Sequence, residues 1–427
     1  MAGQQLEQIL SALDSDTVLW SDFVALCDCG GRRAGSTSEA NALTLAQQGL
    51  PAIGRDVRVA AIPYAAWRLH DSSLTLEDGT ALACNPLLGS QSTGADGVSA
   101  EVCDLGRGTP DDFERHASAV AGRFALVRHE YPFSTAHIHR RRKLTWATER
   151  GAAGFIIANP HPGAGPVAGS SGRGGQQGVP AVGTDYESAL RLASAAASGV
   201  RARIAVRGED YAGETDVLTL DLPGKSPQWV VLSAHVDGHD LAESAMDNAT
   251  GVAVALAIAR AVLPHLASSA RGLRVCLFSA EEWALAGSRQ YLDGMSDADR
   301  RAIALNVNLD TVGGDTHLTA LTSEFPELER WVSRIARESG IELGTYQPMM
   351  ANSDHYNFAR HGIPAFRLVA GFDRPECNVR YILTRGDTRD KVQRGEMVAA
   401  ARTTAMLVWH ALTMSDAEAA ALRLVSR

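Results

Sequence analysis

The spacing of hydrophobic and polar residues changes twice along this chain. Residues 5–16 and 38–50 repeat apolar positions every three or four residues, as amphipathic helices do. Residues 56–69 and 72–87 alternate apolar and polar positions, which is typical of half-buried strands, and Asp78-Gly79 marks a turn among them. We therefore expect helices over the first fifty residues and strands after them.

Residues 98–205 form a second pattern, in which short apolar strands accompany helices. The predicted strands are RFALVRHE, GFIIANP, VPAVGT and VRARIAVRG, and the predicted helices are HRRRKLTWATERG and DYESALRLASAAASG. The basic run His139–Lys143 opens the first of these helices, and we expect it to form an exposed helix face. This part of the chain is predicted to be a separate α+β domain.

Residues 206–427 alternate strands and helices. Apolar strands are predicted at QWVVLSAHVDG, LRVCLFSAEE, AIALNVNLDTVGG and IPAFRLVA, with helical stretches between them. Such alternation predicts an α/β domain with a mostly parallel central sheet flanked by helices. We expect this domain to comprise residues 1–97 and 206–427, with residues 98–205 inserted. In this architecture functional residues collect at the carboxyl ends of strands.

Composition and charge narrow the class of protein. The chain has 427 residues, of which 45% are hydrophobic, so it can fill a sizeable core. Its net charge of -9 and pI near 5.8 argue against a nucleic-acid binder, which needs surplus Lys and Arg. Residues 1–16 have neither the basic start nor the apolar core of a signal peptide, and no window has eighteen apolar residues. We expect a cytoplasmic protein without membrane contact, or a secreted one if a leader was removed.

The first candidate site residues end the strand at AHVDG. His235 and Asp237 are two positions apart, so both side chains point to the same face of a strand. His235 can bind a metal through one ring nitrogen while Asp237 orients the ring. Asp247 follows at the start of a helical stretch, where a carboxylate can bridge two cations or serve as a simple helix cap.

Adjacent glutamates end the next strand. Two like charges at a buried sheet edge repel each other, so Glu281 and Glu282 need cations beside them. We assign Glu282 as a metal ligand and Glu281 as the base that takes a proton from the attacking water. Asp310 ends the following strand, and His355 lies in a loop before the last strand. Imidazole and carboxylate ligands in this order predict two Zn²⁺ ions, with Mn²⁺ or Co²⁺ as possible substitutes.

These residues resemble the ligands of the co-catalytic zinc peptidases that include bacterial leucyl aminopeptidases and glutamate carboxypeptidase. The resemblance is strongest over residues 228–368 and implies the zinc-dependent exopeptidase fold. It further implies that one zinc is held by His235 and Asp310 and the other by Glu282 and His355. In this arrangement Asp247 bridges the two ions.

Residues 98–205 resemble the protease-associated domain that is inserted in this family, on the motifs VAGRFALVRH, ATERGAAGFIIAN and GVPAVGT. One departure concerns the substrate site. Many family members have a Tyr-His-Thr stretch where this chain has Tyr381-Ile382-Leu383-Thr384. Nearby arginines form either a carboxylate-recognition site or a solvated, ion-paired loop. The candidate substrate contacts are Arg367, Tyr381 and Arg385.

The expected reaction is hydrolysis of a peptide or small amide bond by an exopeptidase of aminopeptidase or carboxypeptidase type. Two alternative hypotheses are that the protein is a glutaminyl cyclase-like acyltransferase or a non-catalytic receptor-like module. A receptor-like module would be expected to lose metal ligands, whereas this chain keeps all five and the base. The partner is a peptide or small amide substrate, and the oligomeric state is open, with a homodimer as one option.

Overall fold

The computed structural model describes residues 2–54, 56–172 and 178–423. Its strands are β1 (Val57–Leu76), β2 (Ala81–Leu82), β3 (Asn85–Pro86), β4 (Val98–Asp104), β5 (Phe124–Arg128), β6 (Gly154–Ala158), β7 (Ala181–Thr184), β8 (Arg201–Leu222), β9 (Trp229–His235), β10 (Gly272–Phe278), β11 (Ile303–Leu309), β12 (Leu318–Leu321), β13 (Gly344–Tyr346) and β14 (Ala365–Ala370).

The α-helices are α1 (Ala2–Asp14), α2 (Val18–Asp28), α3 (Thr37–Gly49), α4 (Pro110–Arg115), α5 (Ala117–Val120), α6 (Arg140–Glu149), α7 (Tyr186–Ser198), α8 (Thr250–Val262), α9 (Ala286–Asp293), α10 (Asp297–Ala302), α11 (Pro326–Glu338), α12 (His355–Arg360), α13 (Arg394–Thr413) and α14 (Asp416–Ala421). A short π-helical turn, Ala245–Ala249, leads into α8.

The described residues divide into two compact units. The first contains residues 1–62, 214–382 and 387–427, and the second contains residues 63–213 and 383–386. The sequence predicted a boundary at residue 97, whereas the division falls inside β1. No Gly- or Pro-rich linker marks that point, because β1 is one strand of 20 residues that continues through the polar stretch at 70–73.

The sheet of the first unit confirms the predicted α/β class. Its strand order is β13-β12-β14-β11-β9-β10-β8. The four neighbours β14, β11, β9 and β10 run parallel, while β12 and β8 pair antiparallel on either side of them. The carboxyl ends of the four parallel strands therefore meet at one edge of this sheet.

Helices cover this sheet, and the long apolar stretch Ala245–Ser268 shows how. By length and mean hydropathy it could span a membrane, but 72% of its apolar window is buried inside the protein. Helix α8, which forms most of it, packs against β9 and α13. On another side of the core, Phe278 of β10 packs with Leu292 of α9 and Phe358 of α12. The stretch is therefore a core helix of an α/β domain.

The second unit has its own sheet and core. Strands β4, β5, β6 and β7 pair in parallel, and β8 and β3 pair antiparallel at the two ends of this group. Phe113, Phe155 and Leu144 lie in its hydrophobic core. The expectation that the basic run His139–Lys143 forms an exposed face of helix α6 is wrong. Lys143 is fully buried.

Candidate metal centre

Six side chains with metal-binding atoms meet at the carboxyl edge of the parallel strands in the first unit. They form two groups of three, and within each group the ligand-type atoms lie within 4.8 Å of one another. One group contains His235, Glu281 and Asp310, and the other contains His239, Asp247 and Glu282. Five of the six were predicted from the sequence.

The two groups adjoin each other through His235. Its Nε2 atom lies 3.2 Å from Oδ1 of Asp247 and 3.5 Å from Oδ1 of Asp310. Among the described residues, neither contact has hydrogen-bond geometry. Asp247 therefore stands between the two groups, where a bridging ligand is required.

Asp237 supports the centre in two ways, and only one was expected. Its backbone carbonyl lies 3.0 Å from Nδ1 of His235, which leaves Nε2 directed at the carboxylates. Its carboxylate accepts hydrogen bonds from the backbone N–H groups of Glu281 at 3.1 Å and Glu282 at 3.2 Å. Asp237 thus connects the end of β9 to the turn that follows β10.

The backbone around Asp247 is fixed by two neighbours. The carboxylate of Asp387 accepts hydrogen bonds from the N–H groups of Met246 at 2.7 Å and Asp247 at 3.3 Å. The side chain of Asn248 donates to the carbonyl of Leu309, at the end of β11, and accepts from the N–H of Gly251. These contacts hold Asp247 against the end of β11.

Asp310 is paired with a buried guanidinium. Nη2 of Arg367 lies 2.9 Å from Oδ1 of Asp310, and both side chains are almost fully buried. Burial opposes ionisation of Asp310, yet Arg367 and then His235 hold the pKa of this carboxyl well below its usual range. Arg367 also donates to the carbonyl of Asn352. The structure therefore places Arg367 behind a candidate ligand, and its predicted contact with substrate stays a prediction.

Glu281 has the environment of a base. Burial raises the pKa of its carboxyl well above the ordinary value, and the neighbouring carboxylates of Glu282 and Asp310 add to the rise. A carboxylate that binds a proton more readily than usual suits proton transfer near neutral pH.

The donor set fits divalent cations. Four carboxylates, those of Asp247, Glu281, Glu282 and Asp310, are buried at one edge of the sheet. Arg367 is the guanidinium that pairs with one of them. Within the described ranges, Oε1 of Glu282 accepts no hydrogen bond, although burying an unsatisfied carboxylate oxygen is costly. Cations held by these carboxylates and by imidazole nitrogens would remove that cost.

His355 lies outside both groups. It is fully buried at the start of α12, and burial together with Arg367 lowers the pKa of its ring to about 3. Both ring nitrogens of this predicted ligand are buried without a hydrogen-bond partner among the described residues, and its role as a ligand stays a prediction. His239, by contrast, was missed by the sequence reasoning. The sequence signal for His239 was its position four residues after His235, in the loop between β9 and Asp247.

The other two predicted substrate contacts, Tyr381 and Arg385, have partners within the protein. The hydroxyl of Tyr381 accepts a hydrogen bond from Arg380, and the cations of Arg380 and Lys391 lie over its ring. Arg385 belongs to the second unit, where it donates to the carbonyl of Gly163. The arginines of the first unit follow the ion-paired interpretation, since Arg374 pairs with Asp315 and Arg389 with Glu243 and Asp28.

Comparisons with protein families agree with this geometry. Residues 218–408 match the family described as Peptidase family M28, and residues 90–192 match the PA domain. Both parts of the resemblance inferred from the motifs are confirmed.

Curated relatives include aminopeptidases. The chain is 24% identical over 394 residues to Aminopeptidase YwaD of Bacillus subtilis, covering 87% of this chain and 80% of that protein. It is 26% identical over 246 residues to Leucine aminopeptidase 2 of Trichophyton equinum, covering 54% of this chain and 48% of that protein. The chain thus spans about half the length of this fungal relative.

Solved structures share the fold along almost the whole chain. A zinc aminopeptidase from Bacillus subtilis superposes with a TM-score of 0.73 at 22% identity, covering 97% of each chain. A peptidase M28 precursor from Shewanella amazonensis reaches a TM-score of 0.79 at 21% identity, also covering 97% of each chain.

Proposed function

Residues 218–408 belong to peptidase family M28 and residues 90–192 form a PA domain, and from this premise we propose that the protein is a dizinc aminopeptidase. That it is a metal-dependent exopeptidase follows from the family. The number of ions and the end of the peptide that it recognises are our proposal. The observation that carries it is the position of Glu281, which shares one group of ligand atoms with His235 and Asp310.

The chain's own residues supply both the metal ligands and the base. His235 and Asp310 would hold one cation and Glu282 the other, with Asp247 between them. Zinc bound there supplies Lewis acidity, which makes water more acidic and polarises a carbonyl group. Glu281 takes a proton from the water that attacks the carbonyl carbon, and later gives it to the departing amine. The amide and one water molecule become a carboxylic acid and an amine.

The arginines support the aminopeptidase assignment. A carboxypeptidase needs a guanidinium that is open to the terminal carboxylate of its substrate. In the first unit Arg367, Arg374 and Arg389 each pair with acidic side chains of the protein itself, while Arg380 donates to the carbonyl of Glu376 and the hydroxyl of Tyr381. The named relatives are aminopeptidases as well. The acyltransferase and receptor-like alternatives are not favoured by these comparisons.

Blocked dipeptides test which end is recognised. Zinc-loaded protein is given Leu-Ala with free ends, the same dipeptide with an acetylated amino terminus, and the same dipeptide with an amidated carboxyl terminus. We expect hydrolysis of the free and amidated peptides and none of the acetylated one. A chelator should stop the reaction, and added zinc should restore it. Hydrolysis of the acetylated but not the amidated dipeptide would contradict the aminopeptidase assignment.

A further inference from the structure

The carboxylate of Glu39 connects the start of α3 to the end of β10. Its side chain is buried, and three donors of the protein reach it. Oε2 accepts the N–H of Gly35 at 2.6 Å, and Oε1 accepts the hydroxyls of Thr215, at 2.5 Å, and of Ser279. Burial raises the pKa of this carboxyl above its ordinary value, and the hydrogen bonds from Ser279 and Thr215 oppose that rise. A buried carboxylate with this many partners fixes the groups that bind it.

The hydroxyl that concerns the candidate centre belongs to Ser279. This residue is fully buried directly after β10, two positions before Glu281. Between them Ala280 has a φ of 54°, in the left-handed region that disfavours residues with a side chain. On α9, a methyl group at Gly287 would lie 2.0 Å from the carbonyl oxygen of Ser279. The turn that presents Glu281 is therefore held in an unfavourable backbone conformation by contacts on the residue at its start.

The segment that carries Glu39 reaches the ends of two neighbouring strands. Arg32 is fully buried and donates to the carbonyls of Val236 and Ser244, in the loop that follows β9. Glu39 accepts the hydroxyl of Ser279, in the turn that follows β10. Strands β9 and β10 pair in parallel, so both contacts are made at the sheet edge where the candidate centre lies.

We propose that Glu39 is a positioning residue for the proton transfer by Glu281: through the hydroxyl of Ser279 it holds the turn that carries the base. Glu39 belongs to neither group of ligand atoms, so it acts on the reaction only through that turn. Side chains that support a reacting group in this way keep it within about 0.5 Å of its productive position. This inference rests on the proposed function.

A second role of Glu39 is to tie α3 to β8, and the structure separates this role from the first. Thr215 of β8 donates to the same oxygen as Ser279 but lies outside the turn. Glu214, which is exposed, lines with Glu39 a cavity of about 370 Å³. Thr215→Val and Glu214→Gln are therefore matched controls. The first removes a hydroxyl from Glu39 and the second removes a charge from the cavity, and neither changes the contact with Ser279.

Steady-state kinetics on leucine amide test the proposal, with zinc content determined on the same samples. At saturating zinc, we expect kcat of Glu39→Ala and of Ser279→Ala to fall about 10- to 100-fold, the usual cost of losing a group that supports a reacting residue. KM should stay within about twofold of wild type at equal zinc content, because substrate binding does not depend on the position of the base. Thr215→Val and Glu214→Gln should keep kcat within about threefold of wild type.

A double-mutant cycle and a conservative variant separate positioning from a contribution to stability alone. The double variant Glu39→Ala with Ser279→Ala should lose no more activity than the worse single variant, because both changes break one contact. Glu39→Gln keeps an oxygen that can accept the Ser279 hydroxyl, and it should lose less activity than Glu39→Ala. A residue that served stability alone would lower the melting temperature and leave the kcat of the folded protein unchanged.

The outcomes distinguish this inference from the function on which it rests. Wild-type kcat in zinc-loaded Glu39→Ala and Ser279→Ala would overturn the role of Glu39 and leave the peptidase assignment standing. An equal loss of kcat in Thr215→Val would overturn it too, because the tie between α3 and β8 would then explain the effect. Ser279→Ala removes one hydroxyl and carries the comparison if Glu39→Ala does not fold. A wild-type protein that hydrolyses no leucine amide would refute the proposed function, and this inference with it.

Discussion

At the scale of single residues, Asp237 connects the two halves of the candidate centre. Its backbone carbonyl orients His235, while its carboxylate accepts the N–H groups of Glu281 and Glu282. Hydrogen bonds to a charged acceptor contribute roughly 1.5–3 kcal/mol each, so this one side chain fixes the turn that presents the base. Its role is to position other groups.

A second buried charge lies in the second unit. Lys143 is fully buried, and its Nζ donates to the carbonyls of Arg107 and Arg128 and to the carboxylate of Glu130 at 2.5 Å. Burial opposes ionisation of Glu130, but hydrogen bonds from Arg107 and Lys143 leave its pKa below the ordinary value. Removing Glu130 would leave a buried ammonium without its charge partner.

We predict that Glu130→Gln lowers the free energy of unfolding of the second unit by roughly 3 kcal/mol at pH 7. A lowered pKa in the folded state stabilises the fold above the unfolded value of about 4.3, and this contribution is lost as the pH falls through the folded value. The difference between wild type and variant should therefore shrink as the pH falls from about 5 to about 3. Urea unfolding measures it.

The matched control for this prediction is Glu114→Gln, which breaks an exposed ion pair with Arg150 in the same unit. Exposed pairs contribute at most about 1 kcal/mol, so this variant should stay close to wild type at every pH. A Glu130→Gln protein that is no less stable than Glu114→Gln would refute the account of Lys143.

The sequence reveals some of these residues and hides others for a physical reason. His235, Asp247, Glu281, Glu282 and Asp310 stand at the ends of apolar strands or at a helix start, and their succession along the chain indicates a metal site. His239 lies in a loop, where a histidine is common without any particular role. Only the folded loop therefore identifies it as a candidate ligand. Lys143 sits in a run of basic residues that is typical of solvated helices, and periodicity does not reveal its buried partner.

At the scale of elements, the start of α8 carries the bridging carboxylate. Gly251 lies in the first turn of this helix, where the helix approaches the end of β11. A methyl group there would lie 2.5 Å from the carbonyl oxygen of Leu309 and would collide with the amide of Asn248. The same amide also accepts the N–H of Thr311, so displacing it disturbs the backbone on both sides of the centre.

We predict that Gly251→Ala destabilises the first unit by about 1–3 kcal/mol, because the crowded backbone must shift. It should also weaken zinc binding, since Asn248 adjoins Asp247. Thermal unfolding and zinc titration measure the two effects.

Gly395→Ala is the matched control for Gly251→Ala. A methyl group at Gly395, in α13, meets no atom within 4 Å, so the change should be neutral or stabilising by up to about 1 kcal/mol. Equal stability of the two variants would show that the approach of α8 to β11 is not tight.

Elements are predictable where the period of apolar residues is unambiguous. Strands β9, β10, β11 and β14 occur where the pattern placed them, with helices between them. The strand pattern at 56–87 was read as two strands, but β1 continues through the polar stretch at 70–73. Strand β1 pairs with β8, and backbone pairing does not depend on apolar side chains. Such pairing is long-range and leaves no local signal.

At the scale of the whole molecule, the chain has a net charge of -9 and buries a cluster of carboxylates at one sheet edge. Burying such a cluster is costly unless cations compensate for the repulsion between the carboxylates. The fold class was predictable because alternating strands and helices permit few arrangements. The position of the division between the units was not predictable from the sequence, because the chain passes from one unit to the other inside β1 without a break in the strand.

The central claim is that Glu281 transfers the proton in a zinc-dependent hydrolysis. The most direct measurement is the turnover of leucine amide by zinc-loaded wild type and Glu281→Gln, with zinc content determined on the same samples. We predict equal zinc content and a kcat at least about 100-fold lower in the variant, because the side-chain amide of the introduced glutamine cannot accept a proton from the water. Wild-type turnover by Glu281→Gln at equal zinc content would contradict the account.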